Sequence, residues 1–342
     1  MIGHRGRDAQ ATEHLLIVHT EPDVIQPAVT EFNFRELAFW YPLLALWGGV
    51  LLHLLLPQPA RALRQGWTLL ASRLLARMLH AKNPPAQQRL SGALSWLLLL
   101  LPLLILLPAL QILAWSEPVF DAVLLWLAFS WAALWPDNQR FARALQGEQK
   151  HLARTILDEQ VQRDTTELSL LGLGKAGAET LLMGYLRGLI HVLFWYLLAG
   201  GCGALFYRCC ELTARCWSPA QPKNHAFGLF AARMQSLLEL PGNLLLLLLL
   251  LPGRHLRQRW QRMQIQAKGW SHWLTGALYT QVGLRLDIAM GGPVRYQGIR
   301  VGRPTLGGSR AVHSRDLYRL ARDLNLYAFI LLLLSSAGVL LR

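Results

Sequence analysis

The sequence predicts an all-α, polytopic integral membrane protein, a helical bundle with about six transmembrane helices joined by helical and glycine-rich loops. Two observations carry this prediction. Apolar runs of roughly 16 to 20 residues recur along the 342-residue chain, and a soluble domain would have to bury such runs on all sides. The basic residues are concentrated in the polar segments between these runs, as in membrane proteins with a fixed orientation.

The N-terminal region differs in composition from the rest of the chain. Its first 36 residues are polar and mixed in charge, and they hold no apolar core of a cleavable signal peptide. Two prolines and the lack of a helical period favour a flexible extension. We therefore divide the chain into a polar tail, residues 1–36, and a transmembrane domain, residues 37–342.

The apolar runs define the predicted membrane spans. Pro57 ends the first span, and residues 114–118 leave room only for a tight hairpin between the second and the third. The fifth span is short and carries Pro241, so a re-entrant or kinked element is an alternative there. In chain order the predicted spans are residues 38–56, 93–113, 119–135, 188–207, 237–252 and 326–341.

Three polar segments between the spans fall on one side of this topology: residues 61–89, 137–187 and 253–325. The first has arginines at near-helical spacing and predicts an amphipathic helix on the membrane surface or on the bundle. The second is helical in period, with predicted breaks at residues 163–166 and at Gly172 and Gly174. Together the three segments carry 26 of the 34 lysines and arginines, so the positive-inside bias places them on the cytoplasmic side of a bacterial inner membrane.

The formal net charge of +14 raises the question of nucleic acid, because clustered Lys and Arg are the electrostatic footprint of phosphate binding. Membrane topology accounts for the same charge, so we predict a lipid bilayer and no nucleic acid as partner. The cysteines lie together in one stretch without a CxxC pair, and we interpret them as helix-packing thiols. No metal site is predicted from the residues.

Candidate polar groups for chemistry are few. Arg163, Asp164 and Thr165 lie at a predicted helix break, where Asp or Thr can also cap the following helix. Glu179 could bind a cation or pair with Lys175 at i and i−4. Ionisable residues inside predicted spans are functional candidates by default, and these are His53, Asp121, His191 and Glu239.

A glycine-rich stretch near the C-terminus is the second candidate. Gly291 and Gly292 allow backbone N–H groups to approach an anion, and Arg295, Arg300 and Arg303 add charge beside Tyr296. A tight turn or hairpin explains the same glycines equally well. The chain has no HExxH, P-loop or Ser-His-Asp arrangement, so it offers no self-sufficient catalytic motif.

The order of several short motifs resembles the CobD/CbiB family of membrane proteins over the whole chain. Each motif is weak alone, and their combination is specific. Five family motifs have counterparts in this sequence. The His-Pro-Val-Arg turn corresponds to residues 58–61, the Gly-Arg-Asp-Thr-Ser stretch to residues 162–166, and a glutamate to Glu179. The Gly-Gly-x-x-Gly-Ala-x-x-Tyr-Arg motif corresponds to residues 200–208, and the C-terminal glycine pattern to residues 291–298 with 303–307.

This resemblance implies a role in cobalamin biosynthesis, as an adenosylcobinamide-phosphate synthase-like protein. The implied reaction is an ATP-dependent amide ligation that joins a carboxylate of adenosylcobyric acid, a corrinoid, to aminopropanol or its phosphate. ATP and Mg²⁺ are cofactors that only the resemblance to the family implies. In that case Asp164 and Glu179 are the remaining carboxylates for metal or acid activation. The residues expected to bind phosphate and substrate are Arg163, Thr165, Gly291, Gly292, Arg295, Tyr296 and Arg303.

The chain departs from the family at several acidic positions. Arg187 stands where the family has an aspartate before the fourth span. The family's paired aspartates before the fifth span correspond to positions near Gln235 and Ser236 in this chain. Losing these groups removes expected metal ligands, and an arginine repels Mg²⁺. Two functions stay open: an amide ligase, or a degenerate, non-catalytic regulatory or scaffolding protein. The second resembles the AmpE-type membrane protein linked to β-lactamase regulation, with other membrane proteins as partners.

Overall fold

The structure is a computed structural model, and it describes residues 34–56, 58–80, 82–132, 134–253 and 255–340. The predicted tail, residues 1–36, lies outside these ranges except for its last three residues. Residues 39–342 form one compact unit, and the account below concerns that unit.

Helices make up most of the described chain, and short strands occur only after α11. In chain order the helices are α1 (Phe34–Leu55), α2 (Gln58–Met78), α3 (Pro85–Leu113), α4 (Glu117–Ala128), α5 (Leu134–Gln146), α6 (Lys150–Asp158), α7 (Leu170–Tyr185), a π-helical segment (Leu186–Ile190), α8 (His191–Cys216), α9 (His225–Leu250), α10 (Leu256–Gln266), α11 (Trp273–Leu286) and α12 (Ser314–Leu340). The strands are β1 (Ala289–Gly291), β2 (Val294–Tyr296), β3 (Ile299–Val301) and β4 (Thr305–Gly307).

The predicted membrane class is confirmed by the length and composition of the helices. Within the described residues, the segments long and apolar enough to cross a membrane are Pro85–Leu113, Leu170–Cys216, Pro222–Leu250 and Ser314–Val339, and Trp40–Leu55 is a shorter apolar helix. Only 17% of the apolar window of α3 is buried inside the protein. Its remaining apolar surface therefore requires lipid around it.

The predicted third span, residues 119–135, does not form one helix. α4 is 12 residues long, about 18 Å, whereas the hydrocarbon core is about 30 Å thick. Beyond it the backbone is extended at Phe129, and its N–H groups bond to neighbouring elements. Ser130 N–H donates to Gly188 O at 3.2 Å, and Ala132 N–H donates to His53 Nε2 at 3.2 Å. Non-helical backbone at this depth is tolerated because protein groups satisfy it.

The predicted fourth span, residues 188–207, is a hairpin and not a single crossing. Ala199 and Gly200 leave the helical conformation inside α8. The ring centroids of His191 and Tyr207 are 5.5 Å apart, although about 24 Å would separate residues at this spacing on a straight helix. The chain therefore reverses at Gly200, which has φ +63° and ψ −161°, a region essentially restricted to glycine. Asp121 Oδ1 accepts the Gly201 N–H at 3.2 Å beside this turn.

Other predictions on helix limits had mixed outcomes. α9 continues unbroken through Pro241 for 26 residues, so the re-entrant alternative for the fifth span is wrong. The break at residues 163–166 is confirmed, and the break at Gly172 and Gly174 is wrong because both lie inside α7. A Cβ at Gly174 would lie 2.7 Å from Val312 O, so that glycine serves close packing.

The predicted amphipathic helix, residues 61–89, is divided between α2 and the start of α3. α2 packs on the bundle: Trp67 Nε1 donates to Thr213 Oγ1 at 2.9 Å, and Trp217 Nε1 donates to Ala71 O at 2.9 Å. This contact brings the arginines of α2 towards the end of α8.

The glycine-rich stretch forms two nested antiparallel pairs, β1 with β4 and β2 with β3. Met290 pairs with Leu306 in the outer pair, and Arg295 pairs with Arg300 in the inner one. The hairpin considered from the sequence is therefore present. Leu306 and Met290 are buried in the main core, which fixes the hairpin against α7 and α11.

Candidate functional site

A cavity of about 280 Å³ collects arginines from distant parts of the chain. The carboxylates in its wall are Asp137 and Glu179. Guanidinium groups bind phosphate and carboxylate bidentately, so a cavity of this composition suits an anionic ligand. The arginines that line it are Arg64, Arg163, Arg187, Arg208, Arg215 and Arg303. We refer to it as the arginine cavity.

Glu179 is the buried anchor of one wall. Arg163 Nη2 lies 2.9 Å and Arg303 Nη2 lies 3.4 Å from its Oε2, and the Gly291 N–H donates to its Oε1 at 2.9 Å. The glutamate is 3% exposed, so these donors replace the water that its charge would otherwise need. It therefore pairs with two arginines from other segments and not with Lys175.

The turn between β1 and β2 holds Arg303 in place. Gly291 and Gly292 have φ of +73° and +100°, conformations that side chains rarely adopt. The Gly292 N–H donates to Pro304 O at 2.9 Å, and Arg303 Nε donates to Gly292 O at 3.1 Å. The Arg303 guanidinium lies 4.7 Å from the centre of the Trp270 ring. The backbone donors of both glycines are thus already used within the protein.

Asp164 connects the loop before α7 to the hairpin. Its carboxylate accepts the N–H groups of Gln297 at 3.2 Å and Gly298 at 2.7 Å, and its own N–H donates to Arg295 O at 2.9 Å. The N-cap of α7 is Ser169, so neither Asp164 nor Thr165 has the capping role considered from the sequence.

The structure divides the predicted residues into two groups. Thr165 is buried and donates to Asp158 Oδ1 at 3.1 Å, and Arg295 pairs with Glu167 at the surface. Those that line the cavity are Arg163, Glu179, Tyr296 and Arg303. Those that hold the surrounding loops are Asp164, Thr165, Gly291, Gly292 and Arg295.

The opposite wall is formed by the second limb of α8 and by α2. Glu211 is 1% exposed and lies 2.8 Å from Arg208 Nη1 and 2.9 Å from Arg215 Nη2. Burial and the nearby charges of Arg215 and Arg208 lower the pKa of Arg64. This wall therefore carries more positive charge than its carboxylate neutralises.

A polar cluster lies below the cavity, among the membrane-spanning segments. Arg187 Nε lies 2.6 Å from Glu239 Oε1, which also accepts from Gln235 Nε2 at 2.9 Å. His191 is fully buried, and its ring centroid lies 5.5 Å from that of Tyr207. The Tyr207 hydroxyl is also buried, and it has no hydrogen-bond partner among the described residues.

The donor set does not fit Mg²⁺ held by protein carboxylates. Mg²⁺ needs oxygen ligands in near-octahedral geometry. The carboxylates of Glu179, Glu211 and Glu239 are each engaged by one or two arginines. In the described ranges, His, Cys, Asp and Glu do not come together in groups of three or more that could hold a metal ion. The phosphates of ATP, in contrast, match the guanidinium lining.

Sequence reasoning missed four of the cavity arginines. Arg64 lies on α2 and Arg187 on the π-helical segment, while Arg208 and Arg215 lie on α8 beyond its reversal. Their spacing along the chain gives no sign of convergence, because the hairpin at Gly200 is what brings the α8 residues back. The Tyr-Arg motif that ends at Arg208 was the one available signal.

Comparisons with known proteins agree on one family. A family model described as CobD/Cbib protein matches residues 46–324. The cobalamin biosynthesis protein CobD of Chromobacterium violaceum is 31% identical over 260 residues, which cover 76% of this chain and 83% of that protein. The protein of the same name from Stutzerimonas stutzeri is 30% identical over 278 residues, 80% of this chain and 90% of that protein. No solved structure matches this chain.

Proposed function

Because the chain belongs to the CobD/CbiB family of cobalamin-biosynthesis membrane proteins, we propose that it binds a phosphorylated substrate of cobalamin assembly in the arginine cavity. The observation that carries this proposal is the convergence of six arginines on one cavity. Aminopropanol phosphate and a nucleoside triphosphate both present the phosphate that these groups recognise.

The charge balance of the site supports an anionic ligand. Six arginines line the cavity, and the carboxylates beside them are Asp137, Glu179, Glu211 and Glu239. Two positive charges are left without a counter-charge among these groups. A phosphate monoester carries about two negative charges at neutral pH and would balance them.

The reaction that we propose is the ATP-dependent amide ligation of adenosylcobyric acid with aminopropanol or its phosphate, in which a phosphoryl group from ATP activates the carboxylate and leaves as inorganic phosphate when the amine forms the amide bond. In this reaction Arg163 and Arg303 bind and orient phosphate oxygens, and fixed guanidinium groups stabilise negative charge that develops during acid activation. Glu179 positions these two arginines and holds no metal. Asp164 holds the β2–β3 turn and thereby Tyr296 in the cavity wall.

A second candidate function is a non-catalytic regulatory or scaffolding role of the AmpE kind. The observation that favours it is that Glu179, Glu211 and Glu239 are all paired with arginine, so none of these three buried carboxylates is free to act as acid, base or metal ligand. In that case the cavity binds an anion as a signal, and the partners are other membrane proteins.

The proposed location is a bacterial inner membrane with the arginine-rich segments in the cytoplasm. The contact between Glu179 and Gly291 supports part of it, because it requires residues 137–187 and 253–325 to share one side. A cysteine introduced at the exposed Arg300 tests the orientation. It should react with an impermeant thiol reagent only after cells are permeabilised, and labelling in intact cells would reverse the proposed orientation.

Complementation tests the function. The chain is expressed in a bacterium that lacks its own CobD/CbiB protein and is supplied with cobyric acid, and cobalamin-dependent growth is scored. We expect growth with the natural chain and with Arg300→Gln, an exposed control on β3, and loss of growth with Arg303→Gln. No growth with any of them, with the protein present in the membrane, would favour the non-catalytic role. Equal growth with Arg303→Gln would contradict the phosphate-binding assignment.

A further inference from the structure

A second basic cavity, of about 410 Å³, lies beside the C-terminal end of α9. Arg259 and Arg262 from α10 and Arg285 from α11 line it, together with His255. It shares no lining residue with the arginine cavity, and no acidic side chain lines it in the described part of the chain. The proposed function makes no use of it.

Two contacts place this cavity at the boundary of the apolar segments. Arg259 Nη2 donates to Leu250 O at 2.8 Å, and Leu250 is the last residue of α9. The Arg285 guanidinium lies 5.6 Å from the centre of the Tyr327 ring, where the apolar part of α12 begins. Two apolar helices thus end at the same cavity. The ends of membrane-spanning helices lie at the level of lipid headgroups.

The charges of the cavity are not balanced by the protein. Burial and the neighbouring charge of Arg285 lower the pKa of Arg259, which indicates two guanidinium groups close together without enough counter-charge. Arg259 Nε is buried and has no hydrogen-bond partner among the described residues. Asp323 lies 3.5 Å from Arg285, and Arg322 shares the same carboxylate at 3.6 Å.

Exposed apolar side chains on α9 and α10, close in sequence to the cavity residues although they do not line it, favour a lipid over a free anion. Leu256 and Trp260 on α10 are 46% and 41% exposed, and Leu248 on α9 is 63% exposed. A small soluble anion would make no contact with these apolar side chains. Tryptophan next to arginine at the end of an apolar helix is typical of the membrane interface, where rings lie among headgroups and acyl chains.

We propose that this cavity binds the phosphate headgroup of an anionic phospholipid, with Arg259, Arg262 and Arg285 around the phosphate and the acyl chains along α9 and α10. The ligand would hold the α9–α10 corner at the membrane surface. Basic pockets between membrane helices bind lipid phosphates on this electrostatic basis.

Native mass spectrometry of the full-length chain in detergent tests the proposal. The chain is titrated with dioleoylphosphatidylglycerol and, separately, with dioleoylphosphatidylcholine, and the dissociation constant of the first bound lipid is measured. We expect phosphatidylglycerol to bind more tightly. Arg262→Gln and Arg259→Gln should each weaken its binding about fivefold, and Arg257→Gln, an exposed control on the same helix that does not line the cavity, should leave it unchanged.

Arg262 is the decisive position, because it makes no hydrogen bond or ion pair within the described residues, and we therefore expect its substitution to leave the fold intact. Equal affinity for the two lipids, or equal effects of Arg262→Gln and Arg257→Gln, would overturn the proposal. A competition experiment distinguishes the phosphate of a lipid headgroup from free inorganic phosphate. Displacement of phosphatidylglycerol by millimolar inorganic phosphate would assign the cavity to a soluble anion and overturn the lipid assignment, whereas retention of the lipid supports it.

Discussion

Arg187 Nε lies 2.6 Å from Glu239 Oε1, so an arginine of the π-helical segment and a glutamate of α9 form an ion pair at the floor of the arginine cavity. By its resemblance to the family, the position of Arg187 is one where an aspartate is expected. The arginine neutralises the Glu239 carboxylate and makes the floor part of an anion site.

Removing one partner of this pair should be costly. Arg187→Met leaves the Glu239 charge buried and uncompensated, and we expect the free energy of unfolding to fall by about 3 to 5 kcal/mol. The measurement is titration of the detergent-solubilised chain with dodecyl sulfate. The double variant Arg187→Met with Glu239→Gln should recover at least half of the loss. A double variant as unstable as the single one would show that packing, and not charge, sets the effect.

Glu179→Gln separates an anion site from a metal site. Glutamine keeps the acceptor for the Gly291 N–H and removes the negative charge, so the cavity becomes more positive. We expect aminopropanol phosphate to bind the variant in isothermal titration without dependence on Mg²⁺, and about fivefold more weakly than the natural chain because Arg163 and Arg303 lose the carboxylate that positions them. Asp158→Asn, outside the cavity, is the control. Binding that depends on Mg²⁺ in the natural chain and disappears in Glu179→Gln would instead assign the glutamate as a metal ligand.

Gly242→Ala tests the packing of the intramembrane polar cluster. A Cβ at this position would lie 2.1 Å from His191 Nδ1, so the imidazole must move. We expect a loss of about 1 to 3 kcal/mol in the dodecyl sulfate titration, as in overpacked cores. The matched control is Gly338→Ala in α12, where an added Cβ meets nothing within 4 Å and should stabilise by up to about 1 kcal/mol. Similar effects of the two substitutions would contradict the close approach.

Asp164→Ala should loosen the hairpin and leave the bundle intact. The variant removes the acceptor of the Gln297 and Gly298 N–H groups, both in the β2–β3 turn. We expect faster hydrogen exchange of these two amides by about tenfold, which corresponds to about 1.4 kcal/mol. Asp164→Asn keeps an acceptor oxygen and should restore most of the protection. Unchanged exchange in Asp164→Ala would show that strand pairing alone fixes the turn.

The helices of the bundle were predictable where apolar length decides the structure. α3 contains its predicted span, and α9 and α12 contain theirs except for the last one or two residues, because runs of leucine of that length have few alternatives to a membrane helix. The third and fourth spans were mispredicted for a different reason. Composition gives no sign that Phe129 and Gly200 leave the helix, since the hydrogen bonds that replace helical ones come from residues remote in sequence.

The site was predictable only in part. Arg163, Glu179, Tyr296 and Arg303 were predicted from the helix break, the polar groups before α8 and the glycine-rich stretch, together with family-like motifs, and all four line the cavity. The roles of the glycines could not be derived, because backbone groups offered to an anion and backbone groups bonded within the protein look the same in sequence. Arg64 was assigned to topology and Arg187 to degeneracy, Arg208 appeared only as the end of a family-like motif, and Arg215 was not singled out, since positive charge in a membrane protein has a general explanation.

The reversal of α8 has a consequence for how this cavity tolerates change. Arg187 lies before the turn at Gly200, and Arg208 and Glu211 lie after it, so the turn brings these two parts of the site to face each other. Any residue with a Cβ disfavours the backbone conformation that Gly200 adopts. A substitution there should therefore disperse the binding groups without altering one of them. The geometry of the cavity depends most on a residue that contributes no side chain to it.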